Sequence, residues 1–205
     1  MKLLFLADNH FGKRCGRFLY ESLHDAYPID SYEDDLTALA SPLDSCNLLV
    51  LHTIPGTPGS PIPGPAAEHN LRAFAEAKRP ILLLHGSSAA FSQWSWWRTL
   101  VGLRWVRKDD PDGLPQSTHP ITAFDVVKTG SQHPLAGKLR SFSVENDELY
   151  IKLAVSSPVE TLMTARYDDV DWPQCYIRTS RFGGQVAGFI PGHSRDVVRS
   201  KKKKE

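Results

Sequence analysis

The sequence has little cysteine, almost no net charge and no long apolar run. Its three cysteines, Cys15, Cys46 and Cys175, are odd in number and match no metal-binding or disulfide spacing. That excludes a disulfide framework and a thiolate metal cage, and it fits a reducing compartment. The 24 Lys+Arg against 23 Asp+Glu leave a formal +1, so the composition implies no polyanionic partner and no nucleic acid. No stretch approaches the about 18 apolar residues of a membrane span. The opening MKLLFLADNH is too short for a secretory apolar region, so a cytoplasmic location and no membrane partner are expected. No internal repeat is visible.

What is present is a set of short, buried-looking strands that stop at histidines. Ile81 to Leu84 follows Pro80 and ends abruptly at His85-Gly86-Ser87-Ser88. A brief apolar run between a proline and a glycine reads as a fully buried parallel strand. The small polar residues after it, and then a Trp-rich segment, read as a tight turn into a helix. Leu3 to Leu6, Cys46 to Leu51 and Gln185 to Ile190 repeat the theme, leading into Asp8-Asn9-His10, His52 and Gly192-His193. In open α/β sheets ligands gather at the carboxyl ends of strands, and four histidines stand there.

Between these strands, helices are expected over Phe18 to His24, Asp34 to Leu39 and Ala66 to Lys78, and a short strand over Pro28 to Tyr32. The Pro- and Gly-rich Thr53 to Pro65 is a long loop, suited to a plain connection or to the rim of a site. From Ile121 the pattern turns strand-rich, with Ile121 to Lys128, Phe142 to Ala154, Val159 to Tyr167 and Cys175 to Ser180. A helical turn over Arg195 to Arg199 closes the chain. The expected fold is α/β, with a mostly parallel sheet and a strand-rich second half. One domain over 3–199 is expected, followed by a disordered basic tail over 200–205.

Several short motifs recur in a fixed order: LLLHGSSAAF with Gly102 downstream, His133-Pro134, Asp147-Glu148-Leu149-Tyr150, Gly183-Gly184-Gln185-Val186 and Gly192-His193. Together they resemble the ThuA-like, or trehalose-utilisation, family. The resemblance spans roughly Leu3 to Ser194. It implies the flavodoxin-like three-layer sandwich of class I glutamine amidotransferases. It also implies a role in carbohydrate metabolism, on disaccharides oxidised to keto-sugars. In the related amidotransferases the turn after the central strand carries a nucleophilic cysteine. Here His85 stands in that place, so glutaminase chemistry, which needs an activated thiolate, is not expected. The family often has Gly-Arg-Val before the last strand; Gly184-Gln185-Val186 departs from it, and any role of that arginine is absent.

His85, His193 and Glu148 are the candidate catalytic residues, and His10, His52, Trp94 and Ser87 the candidate substrate-binding ones. His10, His85 and His193 form the candidate ligand set for a divalent metal such as zinc, since neutral imidazole ligates first-row metals readily. Asp147 and Glu148 are adjacent, so on a strand they point to opposite faces and one enters a pocket. Ser87, Ser88 or Cys15 could instead serve a hydrolase, Cys15 with its pKa lowered by Lys13 and Arg14. A non-catalytic ligand- or partner-binding module is the further alternative. His24, His69 and His119 read as surface residues. The expected ligand is a small sugar; a homo-oligomer is compatible with the sequence and not fixed by it.

Overall fold

The computed structural model describes residues 2–193. Among these, nine strands form one sheet, built from two halves of different kind. The first half holds β1 (Leu3–Ala7), β2 (Ser31–Glu33), β3 (Leu48–His52), β4 (Ile81–Leu84) and β11 (Gln185–Phe189). They lie parallel in the order β2-β1-β3-β4-β11, the flavodoxin-like arrangement. The apolar runs become strands because both their faces are covered. Leu4 and Leu6 point to one face, where Leu71 and Phe74 of α2 (Pro65–Glu76) and Trp97 and Leu100 of α3 (Ser95–Leu100) bury them. Phe5 and Ala7 point to the other, against Leu19 and Tyr20 of α1 (Cys15–Leu23). Burial of each such side chain contributes about 1.5–3 kcal/mol.

The second half is antiparallel. β10 (Val170–Thr179) pairs with β11, β9 (Glu160–Tyr167) with β10, β6 (Ile121–Lys128) with β9, and β7 (Phe142–Glu148) with β6. Its core gathers Phe124, Val126, Val144, Leu162, Met163 and Ala165. Two short strands, β5 (Leu103–Arg104) and β8 (Ala154–Val155), pair separately. Irregular pairing interrupts β6 between Thr122 and Phe124, and β10 between Pro173 and Tyr176.

The elements differ from expectation in three places. Residues 36–40 form a 3-10 turn, not an α-helix; the Asp35 carboxylate accepts from the Thr37 amide at 2.8 Å and Pro42 leaves no room to extend. His85–Ala89 is also a 3-10 turn, and the Trp-rich helix begins only at Ser95. The expected Phe142 to Ala154 strand is two strands, β7 and β8, separated by Leu149 to Leu153. The expected turn at Arg195 to Arg199 and the basic tail lie outside the described residues. Among the described residues, no helix is long and apolar enough to cross a membrane.

Candidate functional site

The site sits where the two halves meet, at the carboxyl ends of β4 and β11. His85 follows β4 directly and has φ +48°, a left-handed conformation that strains a residue with a Cβ. The turn thus lifts the imidazole out of the strand line, much as a nucleophile elbow lifts a serine. Gly86 makes the turn possible, since a Cβ there would press into Ile54.

Hydrogen-bond partners set the tautomers. His85 Nδ1 lies 3.1 Å from the Ile190 carbonyl, which can only accept, so Nδ1 carries the proton and Nε2 the lone pair. His193 Nδ1 is 2.8 Å from that Nε2, and the Tyr150 hydroxyl is 3.3 Å from it. Lys13 Nζ lies 3.2 Å from His193 Nε2. An ammonium only donates, so His193 Nε2 accepts and its Nδ1–H points to His85. Glu148 closes the cluster, with Oε2 at 3.6 Å from His85 Nε2 and Oε1 at 3.5 Å from His193 Nε2. Asp147 faces away from the rings. It is buried, and its Oδ2 accepts from the backbone amides of Gly192 at 2.9 Å and His193 at 3.2 Å. One residue of the pair enters the pocket and its neighbour fixes the loop that carries His193.

The electrostatics make these groups good donors of electron pairs. Burial, reinforced by neighbouring His85, pushes the His193 imidazole down to about 4. Burial works to raise the Glu148 carboxyl, but contact with His85 and the charges of His193, His85 and His119 outweigh it and hold the group at about 2. At neutral pH the cluster therefore holds a carboxylate beside a neutral His193. Tyr150 is pushed well above its ordinary range by burial and then by Glu148 and Asp147, so its phenol stays protonated and can donate.

The other two strand-end histidines stand behind this cluster. His10 is fully buried, its Nδ1 paired with Asp8. Asp8 also accepts from the Ile54 amide at 2.8 Å and from the Ser60 hydroxyl. His52 is stacked between His10, at a ring distance of 5.4 Å, and His85, at 6.0 Å. Burial, then the neighbouring His85 and His10, drive its pKa well down. The four strand-end histidines thus form a chain of ring contacts, from buried His10 through His52 and His85 to His193 at the cleft.

Several expectations are corrected. Among the described residues, the set whose ligand atoms all lie within 4.8 Å of one another is His85, His193 and Glu148. His10 is not in it, because its ring is committed to Asp8 behind His52. His10 and His52 are too deep to line the cleft as substrate contacts. Ser87 is likewise buried, its hydroxyl donating to the Leu51 carbonyl and accepting from the Thr53 amide, both at 2.9 Å. It ties the turn to β3 and is neither a substrate contact nor an activated nucleophile. Trp94 stacks on Phe91 at 4.5 Å within the core. The Cys15 thiol is raised rather than lowered, because burial outweighs Lys13.

A cleft of about 410 Å³ opens over the cluster, lined in part by His193, Glu148, Lys13, Arg107 and an aromatic wall. The wall is Trp105, Tyr150 and His119, with Trp105 at 4.4 Å from Tyr150 and 5.2 Å from His119. His119 is exposed, as the sequence implies, but at the rim of the cleft. Trp105, Arg107 and Lys13 carried no signal of their own in the sequence; Tyr150 lay in a noted motif without an assigned role.

The ThuA family model, described as trehalose utilisation, matches residues 16–205. The chain belongs to the ThuA family. Among solved structures, a ThuA-like protein of Parabacteroides merdae superposes with a TM-score of 0.73 at 16% identity, over 94% of this chain and 79% of its own. A ThuA-like protein of Bacteroides uniformis gives 0.69 at 15%, over 96% and 84%. A glutamine amidotransferase of Thermotoga maritima gives 0.50 at 14%, over 92% and 75%. At these identities the structures establish the ThuA and amidotransferase-like fold and no activity. No curated protein matches the sequence.

Proposed function

We propose that this ThuA-family chain acts on a sugar or keto-sugar bound in the cleft, with His85, His193 and Glu148 as the reacting set around a divalent cation. The observation that carries the reading is the convergence of two imidazoles and one carboxylate within 4.8 Å, His193 and Glu148 lining an aromatic-walled cleft and His85 buried against them. Pockets with apolar walls and a few placed polar groups suit small ligands, and an aromatic wall suits the apolar face of a sugar ring.

The donor set fits such an ion. His85 Nδ1 is held by the Ile190 carbonyl, which orients the ring and leaves Nε2 as the ligating atom. His193 is neutral and Glu148 anionic, the protonation states that ligation requires. A bound ion such as zinc would polarise a carbonyl or hydroxyl oxygen of the substrate. The protein's own groups do the rest. Tyr150 donates a hydrogen bond toward the reacting oxygen. The carboxylate oxygen of Glu148 left free of the ion would accept a proton from the sugar and return it. Trp105 orients the ring.

Metal analysis of purified protein, with turnover of a keto-disaccharide followed before and after chelation, tests this. One equivalent of metal, activity lost on chelation and both lost in His85→Ala are expected. Full turnover in metal-free protein would remove the metal from the reading. Saturable sugar binding with no turnover would mark a binding module on the same fold.

A further inference from the structure

We infer that the preferred ligand is a sugar bearing an oxyanion, a carboxylate or a phosphate, seated on Arg107. This rests on the sugar reading above and narrows it. Arg107 is partly buried at the cleft wall, and its one hydrogen-bond partner among the described residues is the Pro55 carbonyl at 2.7 Å. No carboxylate of the described residues lies within ion-pair distance of it. The comparison with other arginines of this chain is direct. Arg104 is buried too, but pairs with Asp110 and, at 2.7 Å, with Asp112. Arg98 takes Asp112 at 2.9 Å. Arg79 caps the Leu43 and Cys46 carbonyls, and Arg178 those of Thr99 and Leu100. A guanidinium has five N–H donors in a planar fork that matches an oxyanion. Arg107 leaves most of that fork unused.

A half-buried cation with no carboxylate in contact is costly. Burial lowers the Arg107 pKa, an effect that Tyr150 and the carboxylate of Asp8, out of contact, only partly offset. The site nonetheless makes room for it. Gly56 has φ +82°, and a Cβ there would sit 3.0 Å from the guanidinium. A second cation, Lys13, lines the same cleft and makes no ion pair with a described carboxylate; its ammonium lies against His193. The two cations therefore play different parts. At the reacting end Glu148 already supplies a negative charge beside the imidazoles and the proposed cation. The Arg107 end, against the Pro-Gly loop, has no described carboxylate in contact and attracts an oxyanion from the ligand. An acidic sugar fits with its oxyanion at Arg107, its ring along Trp105, and the oxygen that reacts under Lys13, His193 and His85.

Calorimetric titration of the full chain with glucose, glucuronate, glucose 6-phosphate and inorganic phosphate tests the inference. At low salt at least one acidic sugar should bind about tenfold or more tighter than glucose. Its advantage should fall with added sodium chloride, as an exposed-edge ion pair does. In Arg107→Met the ratio of acidic-sugar to glucose affinity should fall roughly ten- to hundredfold. Because that variant also loses the Pro55 contact, the salt dependence of the unaltered protein stands as the second measurement. A gain for glucuronate alone identifies a carboxylate ligand, and for glucose 6-phosphate alone a phosphorylated one. Glucose binding as tightly as both acids overturns the inference and leaves the sugar reading intact. Inorganic phosphate binding as tightly as glucose 6-phosphate overturns it too, since the sugar then adds nothing. Absence of binding by every sugar of this panel overturns the inference, while turnover of the keto-disaccharide decides the sugar reading separately.

Discussion

Replacing Asp147 by Asn tests whether this carboxylate holds His193 in place. The side chain is buried, so water cannot take over its work. Its Oδ2 accepts from two backbone amides, Gly192 at 2.9 Å and His193 at 3.2 Å. Hydrogen bonds to a charged group contribute about 1.5–3 kcal/mol each. An amide of the same shape keeps one acceptor oxygen but no charge. With that oxygen in the place of Oδ2 both bonds remain, each weakened to a neutral one, a cost of about 1–3 kcal/mol in all. The same change loosens the His193 backbone, so metal affinity should drop about 10–100-fold, as for other supporting partners of ligands. Urea unfolding of chelated protein reads the first effect and metal titration the second. Asp125→Asn is the control: its carboxylate accepts from Ser143 at 2.6 Å but is exposed, and a change within about 0.5 kcal/mol is expected. An Asp147→Asn protein as stable as the control, with unaltered metal affinity, would refute the positioning role.

Three further outcomes are expected. In metal-free protein, His193 is lowered from 6.5 to about 4, so the folded state prefers the neutral ring; its stabilisation is complete above pH 6.5 and lost as pH falls toward 4. Discounted for partial solvation, that is about 1–2 kcal/mol, and urea midpoints of His193→Gln should fall less over this interval than those of the unaltered protein. Glu148, lowered from 4.5 to about 2, contributes in the same direction at lower pH: its part is complete above 4.5 and lost as pH falls through about 2. Gly188→Ala should lose about 1–3 kcal/mol by urea unfolding. Its Cβ would press into the Tyr176 ring, which is pinned by a hydroxyl bond to the Val101 carbonyl at 2.8 Å; Gly130→Ala, in open space, should change little. Finally, a coupled ammonia assay with glutamine should match the no-enzyme control, since His85 stands in place of the thiol; release abolished by thiol alkylation would contradict this.

The parallel half was legible because its information is local. Leu3 to Leu6, Leu48 to Leu51, Ile81 to Leu84 and Val186 to Phe189 are each apolar enough to be buried on both faces, and each ends at a polar, histidine-bearing loop. That was sufficient to place the edge of the sheet and to bring His85 and His193 together. Depth was not legible. Nothing local distinguishes His10 and His52, sunk beneath the edge, from His193 at the cleft. Trp94 and Trp105 are equally aromatic, but one follows a turn into the core and the other stands beyond Gly102, where the chain has turned back. Glu148 could be named as a candidate from its motif, yet its replacement of His10 in the ligand set depends on how the antiparallel half is bent.

That bending has a consequence for where the site can be broken. Between β11, which leads to His193, and β7, which carries Glu148, the sheet takes four inter-strand steps. At about 4.8 Å each, a flat sheet would hold the two strands about 19 Å apart. Yet Glu148 Oε1 lies 3.5 Å from His193 Nε2. The segment from Ile190 to His193 and the twist of the sheet together close that gap, like a half-closed hand. Irregular pairings such as those in β6 and β10 increase local twist and bend a strand. Both irregularities are tied to the site: Thr122 pairs with Asp147, next to Glu148, and Gln174, beside Pro173, donates to the Tyr150 carbonyl at 3.1 Å. Smoothing either irregularity would open the hand and pull the carboxylate off the imidazoles, with every residue of the site still in its sequence.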